Sequence, residues 1–244
     1  MRKKGEKLMP LQVAVDGPAG SGKSTAARRL ARELGLVYLD TGAFYRSVAL
    51  LVLRRGVDPE DEPSVTDISA GARVSFQPGT GGGPDRVFCG GEDVTEAIRR
   101  PEISRVVSAV AAHAAVRENL TRQMRLLAAA QSVIMDGRDV GTHVLPAAAV
   151  KIFLTAAARE RARRRARELE AAGQADGLTE EDVLAEIEAR DRGDSSRAAA
   201  PLRQAEDAFL IDATFLSPDE VTALIKEKVL AWKQVREGGE ETEN

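Results

Sequence analysis

Leu11-Gln-Val-Ala-Val-Asp-Gly-Pro-Ala-Gly-Ser-Gly-Lys-Ser-Thr-Ala-Ala-Arg-Arg-Leu-Ala-Arg-Glu-Leu34 is the stretch that decides the fold. The apolar run from Leu11 to Val15 reads as a buried strand that ends at Asp16, and after Lys23 alanine and leucine recur at helical spacing. Between them, Gly17-Pro18-Ala19-Gly20-Ser21-Gly22-Lys23-Ser24-Thr25 fits G-x-x-x-x-G-K-[ST] in the strand, loop and helix setting that gives the pattern its meaning. Backbone N–H groups at a helix N-terminus cradle an anion, and Gly20 and Gly22 let a phosphate approach the backbone closely. The pattern therefore assigns Gly17 through Thr25 to a nucleoside triphosphate, Lys23 to its β- and γ-phosphates, and Ser24 to Mg2+. A glycine-rich turn that merely joins strand to helix would need neither the lysine nor the hydroxyl.

Working outward, Gly35 stops the first helix, and Leu36-Val37-Tyr38-Leu39 reads as a short buried strand ending at Asp40-Thr41-Gly42. Ala43 to Arg55 is helical, and Glu102 to Ala130 is a long helical stretch with room for one break. Ser132 to Met135 and Ala147 to Leu154 are further strands, Ala156 to Ala172 an arginine-rich helix, and Leu178 to Asp191 a helix with a capping box at Thr179 and Asp182. Phe209 to Asp212 is a last strand, and Ser217 opens a final helix to about Val235. Five short strands alternating with helices specify a parallel sheet covered on both faces. From 61 to 101 the pattern changes. Arg73–Phe76 and Arg86–Cys89 read as a small β-hairpin insert whose glycine tract, 79–83, is a mobile loop without chemistry.

Charge and composition narrow the partners. With 35 basic and 38 acidic residues the net charge is −3, so no global basic field points to a nucleic-acid polymer. One cysteine, Cys89, leaves no internal disulfide and fits a reducing compartment, and two histidines, His113 and His143, are too few for a histidine-built metal site. No apolar run is long enough for a transmembrane span, and the first nine residues carry four Lys/Arg without a signal's apolar stretch. The expected organisation is a flexible basic tail over 1–9, a core over 10–60 and 102–236, the insert over 61–101, and a disordered acidic tail over 237–244. A cytoplasmic monomer is expected, since no helix shows a large exposed apolar face.

The remaining charges say what receives the phosphate. Arg46 follows Asp-Thr-Gly, Arg138 follows Asp136-Gly, and Arg190 and Arg197 bracket a late polar run. A guanidinium binds phosphate through two parallel N–H groups, so several converging arginines imply a second, phosphorylated substrate. Asp136, ending a hydrophobic strand, stands where a carboxylate would hold Mg2+ or its waters, against the alternative of a helix N-cap. Asp191 and Asp194 are too remote from the triphosphate to be metal ligands, and Asp194 suits a ribose hydroxyl better. Arg161, Arg164 and Arg165 fall at i, i+3 and i+4 and so share one helix face, as a lid closing over phosphates requires, against a solvated face paired with Glu160, Glu168 and Glu170.

GPAGSGKST, LDTGAFYR, MDGRDVGT, VKIFLTA, the arginine helix and RDRGDSSRAAAPL together resemble bacterial cytidylate kinase, of the nucleoside monophosphate kinase group, from about Val13 to Lys233. The resemblance implies an α/β fold of the P-loop NTPase type. It has a five-stranded parallel sheet flanked by helices, a small β-containing nucleotide-binding insert and a helical lid over about 157–190. It implies ATP as phosphoryl donor with Mg2+, and CMP or dCMP as acceptor. It also implies that Thr41, Ser108, Arg117 and Asp139 contact cytosine, that Arg46, Arg138 and Arg197 grip the monophosphate, and that Arg190 and Asp194 meet the sugar. Lys23, Arg138 and the three lid arginines are the expected catalytic set. Some family members carry serine in place of Thr41, with the same hydroxyl. Rival readings are a shikimate- or gluconate-type kinase or a UMP/CMP kinase, and a nucleotide-dependent switch. The insert and the late RDxxDxxR argue against a kinase for a small acid or sugar, and the acceptor arginines would have no purpose in a switch.

Overall fold

The computed structural model describes residues 10–77, 79, 85–171, 173, 175 and 177–238. In chain order the first half contains β1 (Gln12–Asp16), α1 (Lys23–Leu34), β2 (Val37–Asp40), α2 (Thr41–Arg54), α3 (Glu62–Gly71), β3 (Val74–Gln77), β4 (Arg86–Cys89) and β5 (Glu92–Asp93). The second half contains α4 (Pro101–Ala112), α5 (Ala114–Ala130), β6 (Val133–Gly137), β7 (Val150–Thr155), α6 (Ala158–Ala171), α7 (Glu180–Ser196), β8 (Phe209–Asp212) and α8 (Pro218–Gly238). Five of the strands pair in parallel in the order β2-β6-β1-β7-β8, as the alternating pattern predicts.

Alternation along the strands divides the core between the two faces. Ala14, Leu39, Val133 and Met135 join Phe44, Val48, Leu120 and Met124 of α2 and α5 on one face. Val13, Val15, Tyr38, Ile134, Ile152 and Leu154 face the other way, with Leu30 of α1 and Ile225 and Val229 of α8. Such strands read as nearly continuous apolar runs because both faces are covered. The chain leaves β1 toward β2 on one side and later reaches β7 and β8 on the other, so a crevice opens at the carboxyl ends of the strands around β1. The parallel register sets Val15 against Asp136, Asp16 against Gly137 and Asp40 against Asp136. Three carboxylates are thereby gathered at one end of the sheet.

The insert contains more than a hairpin. β3, β4 and β5 form an antiparallel sheet, and ahead of it lies α3, which hydrophobic periodicity did not reveal. Val65, Ile68 and Ser69 are its only buried residues, too sparse for a clear helical stripe. The legible signal was Asp61, whose side chain accepts from Ser64 N–H, followed by Pro63 in the first turn. Val65, Ile68, Val74 and Val87 pack into the same cluster as α2 and α5. The stretch 102–130 does break once, at His113, where the backbone is extended and the ring Nε2 lies 2.8 Å from the Pro59 carbonyl oxygen.

Two boundaries move with consequences for the site. α2 starts at Thr41, because Asp40 caps it by accepting from Ala43 N–H. α7 runs through Ser196, beyond the expected end at Asp191, so Asp194 joins Arg190 on its last turns and does not lie in a loop. Gly193, aspartate and serine are poor helix formers. Tertiary ion pairs from Asp191 and Asp194 hold these turns helical. The Thr179–Asp182 capping box is present as expected. The tail expected over 1–9, residues 239–244 of the acidic tail and residues 80–83 of the glycine tract lie outside the described residues. Among the described residues no helix is long and apolar enough to cross a membrane.

Candidate active site

The glycine loop closes on itself around Lys23. α1 begins after Gly22, a left-handed residue at φ 93° that leaves the helix without a side-chain cap. Lys23 Nζ donates to the Pro18 carbonyl at 2.6 Å and to Ser21 Oγ at 3.3 Å. Burial, followed by the charge of Arg138, pushes this ammonium well below the ordinary lysine range, against the pull of Asp136 and Asp16. An added negative ligand would relieve that penalty. Gly17 is indispensable at φ +149°, since a Cβ there would lie 1.9 Å from the Leu154 carbonyl oxygen of β7.

Asp136 is 4% exposed, and hydroxyls take both its oxygens: Ser24 Oγ donates to Oδ2 at 2.7 Å and Tyr38 to Oδ1 at 2.7 Å. Among the described residues no backbone N–H donates to Asp136, and Asp139 stands at the N-cap position of the next helical turn, so Asp136 does not act as a helix N-cap. Burial, then the neighbouring Asp40 charge, raises the Asp136 carboxyl, opposed by the Tyr38 hydrogen bond, Lys23 and Ser24. Tyr38 in turn is raised well above the usual phenol range by burial and by the charges of Asp136 and Asp40, so it remains a donor at neutral pH. Asp40 would also be raised by burial, but Arg46, Arg28 and the Ala43 N–H hold it below the usual carboxylate range. Asp16 accepts from Val140 N–H at 2.8 Å and Gly141 N–H at 2.7 Å, and burial outweighs these bonds, pushing it up to about 6. It thus straps the segment carrying Arg138 and Asp139 to the base of the glycine loop.

On the acceptor side, Arg138 Nε donates to Asp194 Oδ2 at 2.8 Å, and Arg197 lies 3.7 Å from Asp194 Oδ1. Arg46 pairs with Asp40, and Arg197 also donates to the Ala200 carbonyl at 3.3 Å. Arg190 is lowered from the usual guanidinium range, first by the surrounding protein and then by the like charges of Arg138 and Arg46. Arg138 and Arg197, remote from each other in the chain, thus share one carboxylate, and Arg190 lies close enough to feel the charges of Arg138 and Arg46. Arg117 and Asp139, 2% and 4% exposed, form a buried ion pair. Arg117 also donates to the Ala111 carbonyl at 3.1 Å and stacks over the Tyr45 ring at 5.1 Å. The Tyr45 hydroxyl and Arg117 Nε are buried with no hydrogen-bond partner among the described residues. Such unpaired groups are costly unless a ligand satisfies them. Thr41 is buried in the first turn of α2, its Oγ1 close against Gly137, whereas Ser108 lies on the exposed side of α4.

The three lid arginines do not converge here. Arg161 is buried, donating to the Ala156 carbonyl at 2.8 Å and the Ala19 carbonyl at 3.0 Å and pairing with Asp191 at 2.7 Å. Arg164 donates to Glu160 and, at 2.7 Å, to the Ala213 carbonyl beyond β8. Arg165 meets Glu168 at the surface, its one charged partner among the described residues. Arg161 thus joins the glycine loop to α7, a role that helical spacing could not foretell because it depends on Asp191. Also missed were Asp16 and Tyr38, which looked like strand residues, the pairing of Asp40 with Arg46, and Arg28. With Tyr38, Asp40, Arg46, Phe76 and Arg99, Arg28 lines a cleft between α1 and the insert.

A triphosphate cradle, an acidic crevice and a converging arginine set can thus serve one phosphoryl donor and one anionic acceptor. Residues 13–231 match the cytidylate kinase family model. The chain is 48% identical over 222 residues to the cytidylate kinase of Pelotomaculum thermopropionicum, covering 91% of this chain and 97% of that protein. It is 46% identical over 226 residues to the bifunctional pantoate ligase/cytidylate kinase of Synechococcus sp. (strain JA-2-3B'a(2-13)), covering 92% of this chain but only 41% of that longer protein. A crystal structure of an uncharacterized protein from Eubacterium ventriosum shares the fold with a TM-score of 0.51 at 10% identity, over 89% of this chain and 96% of that one. Motifs, sheet order and matched length agree: the chain belongs to the cytidylate kinase family.

Proposed function

We propose that this chain transfers the γ-phosphoryl group of ATP to CMP and dCMP, yielding ADP with CDP or dCDP. The observation that carries the acceptor's identity is the buried Arg117–Asp139 pair beside the Arg138–Asp194–Arg197 network. Cytosine presents an N4 donor next to an N3 acceptor, and uracil presents the reverse, so a carboxylate beside a guanidinium favours cytosine. Arg46, Arg138 and Arg197 bind the acceptor phosphate, Arg190 and Asp194 the sugar, and Thr41 and Ser108 complete the base site.

The acceptor is already an anion, so the reaction needs positioning and charge neutralisation more than a general base. Lys23 leaves the Pro18 carbonyl for the β- and γ-phosphates, and the N–H groups after Gly22 cradle them. Arg161 keeps the glycine loop joined to α7, while Arg164 and Arg165 belong to the segment that closes over the donor and excludes water. Ser24 and Asp136 suit Mg2+: both offer hard oxygens at the mouth of the loop, and the buried carboxylate takes its hydrogen bonds from two neutral hydroxyls, which leave its negative charge uncompensated by them. They would hold the ion, directly or through water, and it would supply neutralisation of charge on the transferring phosphoryl group.

The reading includes a cytoplasmic monomer, and the near balance of 35 basic against 38 acidic residues speaks against a nucleic-acid polymer as partner. A coupled ADP-release assay across CMP, dCMP, UMP, AMP and GMP tests the substrate. The highest kcat/KM is expected with CMP or dCMP, and best turnover with AMP or GMP would refute the assignment.

A further inference from the structure

We infer that Tyr38 is a positioning residue for the Mg2+ site, its hydroxyl fixing one oxygen of Asp136 so that the other is presented to Ser24 and the metal. The inference rests on the assignment of Ser24 and Asp136 to Mg2+ made above. Register supplies the geometry. Tyr38 on β2 pairs with Ile134 on β6, two residues before Asp136, so Tyr38 and Asp136 stand on the same face as diagonal neighbours. Aromatic side chains can span that diagonal separation, and the phenol hydroxyl reaches Asp136 Oδ1 at 2.7 Å. Ser24, opening α1 on that face, takes Oδ2 at 2.7 Å. The carboxylate is thus held at both oxygens before any ion arrives.

The ring of Tyr38 is itself fixed. It is 7% exposed, packed among residues of β1, β6 and α1, with the Arg28 guanidinium 5.0 Å from its centroid. A cation over the ring draws electron density from it and strengthens its hydroxyl as a donor. Phenylalanine would fill the core equally well, so the hydroxyl is not explained by packing. Nor does it occupy a ligand position, because it faces the carboxylate oxygen turned away from Ser24. Partners of this kind that orient a metal ligand commonly change metal affinity or activity by about 10- to 100-fold when removed.

The test is calorimetric titration of ATP into wild type, Tyr38→Phe and Asp136→Asn, each with Mg2+ and with EDTA. ATP affinity in EDTA is expected to be the same for wild type and Tyr38→Phe, while the gain on adding Mg2+ shrinks on the order of 10-fold in Tyr38→Phe. Asp136→Asn should lose that gain at least as severely. A full Mg2+ gain in Tyr38→Phe alongside a lost gain in Asp136→Asn would overturn the role of Tyr38 and leave the metal assignment standing. An equal loss of ATP affinity with and without Mg2+ in Tyr38→Phe would make the hydroxyl a general support of the fold and also overturn it. A full gain in Asp136→Asn would overturn the metal assignment and this inference together.

Discussion

Replacing Asp139 with asparagine separates the base-reading role of the buried pair from its structural one. Arg117 and Asp139 are 2% and 4% exposed, so the substitution leaves a buried guanidinium without its counter-ion. Removing one partner of a buried pair costs about 3–5 kcal/mol. Asparagine retains an oxygen acceptor, and the Ala111 carbonyl and Tyr45 ring still hold Arg117, which points to the lower end, about 3 kcal/mol. At about 2–4 °C per kcal/mol for a chain of this size, the melting midpoint should fall by roughly 6–12 °C. A well-formed bidentate base contact is worth about 1–3 kcal/mol of discrimination, so the ratio of kcat/KM for CMP over UMP should drop by roughly 5- to 150-fold. Both are measured on the same preparation, by calorimetry and by the coupled assay below the new midpoint. A lowered midpoint with an unchanged CMP/UMP ratio would refute base reading by Asp139 and leave the pair a purely structural one.

Two other perturbations probe the donor side. Lys23→Ala should lower phosphoryl transfer by at least about 100-fold, as expected for loss of a charge aimed at the transition state, while equilibrium dialysis still detects CMP binding; near-normal turnover would contradict its role. Asp16, with its folded carboxyl pushed up to about 6 from an ordinary 3.8, contributes most to stability below pH 3.8 and loses about 3 kcal/mol of that contribution as pH rises through 6. The stability of wild type relative to Asp16→Asn should therefore fall by about 2 kcal/mol, most of that contribution, between pH 4 and pH 7 in denaturant titrations. A pH-independent difference would show that Asp16 is not held above its ordinary range.

What could be read in advance divides by the distance over which its cause acts. The glycine loop, the five strands and the Thr179 capping box are local, each written in a few consecutive residues, and all are present. α3 was hidden because only three of its residues are buried and its cap, Asp61, was the stronger signal. The last turns of α7 were hidden because their helicity depends on Arg138 and Arg161, remote in sequence, pairing with Asp194 and Asp191. The same reason explains the site. Arg46, Arg138 and Arg197 could be suspected from residue type, but nothing local shows that Arg138 and Arg197 share Asp194, or that Arg161 turns inward while Arg165 stays at the surface. Asp16 and Tyr38 looked like strand residues, and only the register of β1, β2 and β6 reveals their work on the 138–141 segment and on Asp136.

The central claim is that the glycine loop and the arginine network form one site that passes a phosphoryl group from donor to acceptor. Incubating the protein with ATP labelled at the γ-phosphorus and CMP as sole acceptor, then resolving the products, tests it most directly. The label should be recovered in the β-phosphoryl group of CDP, in a one-to-one ratio with ADP formed. Label found in inorganic phosphate, with CMP unchanged, would contradict it.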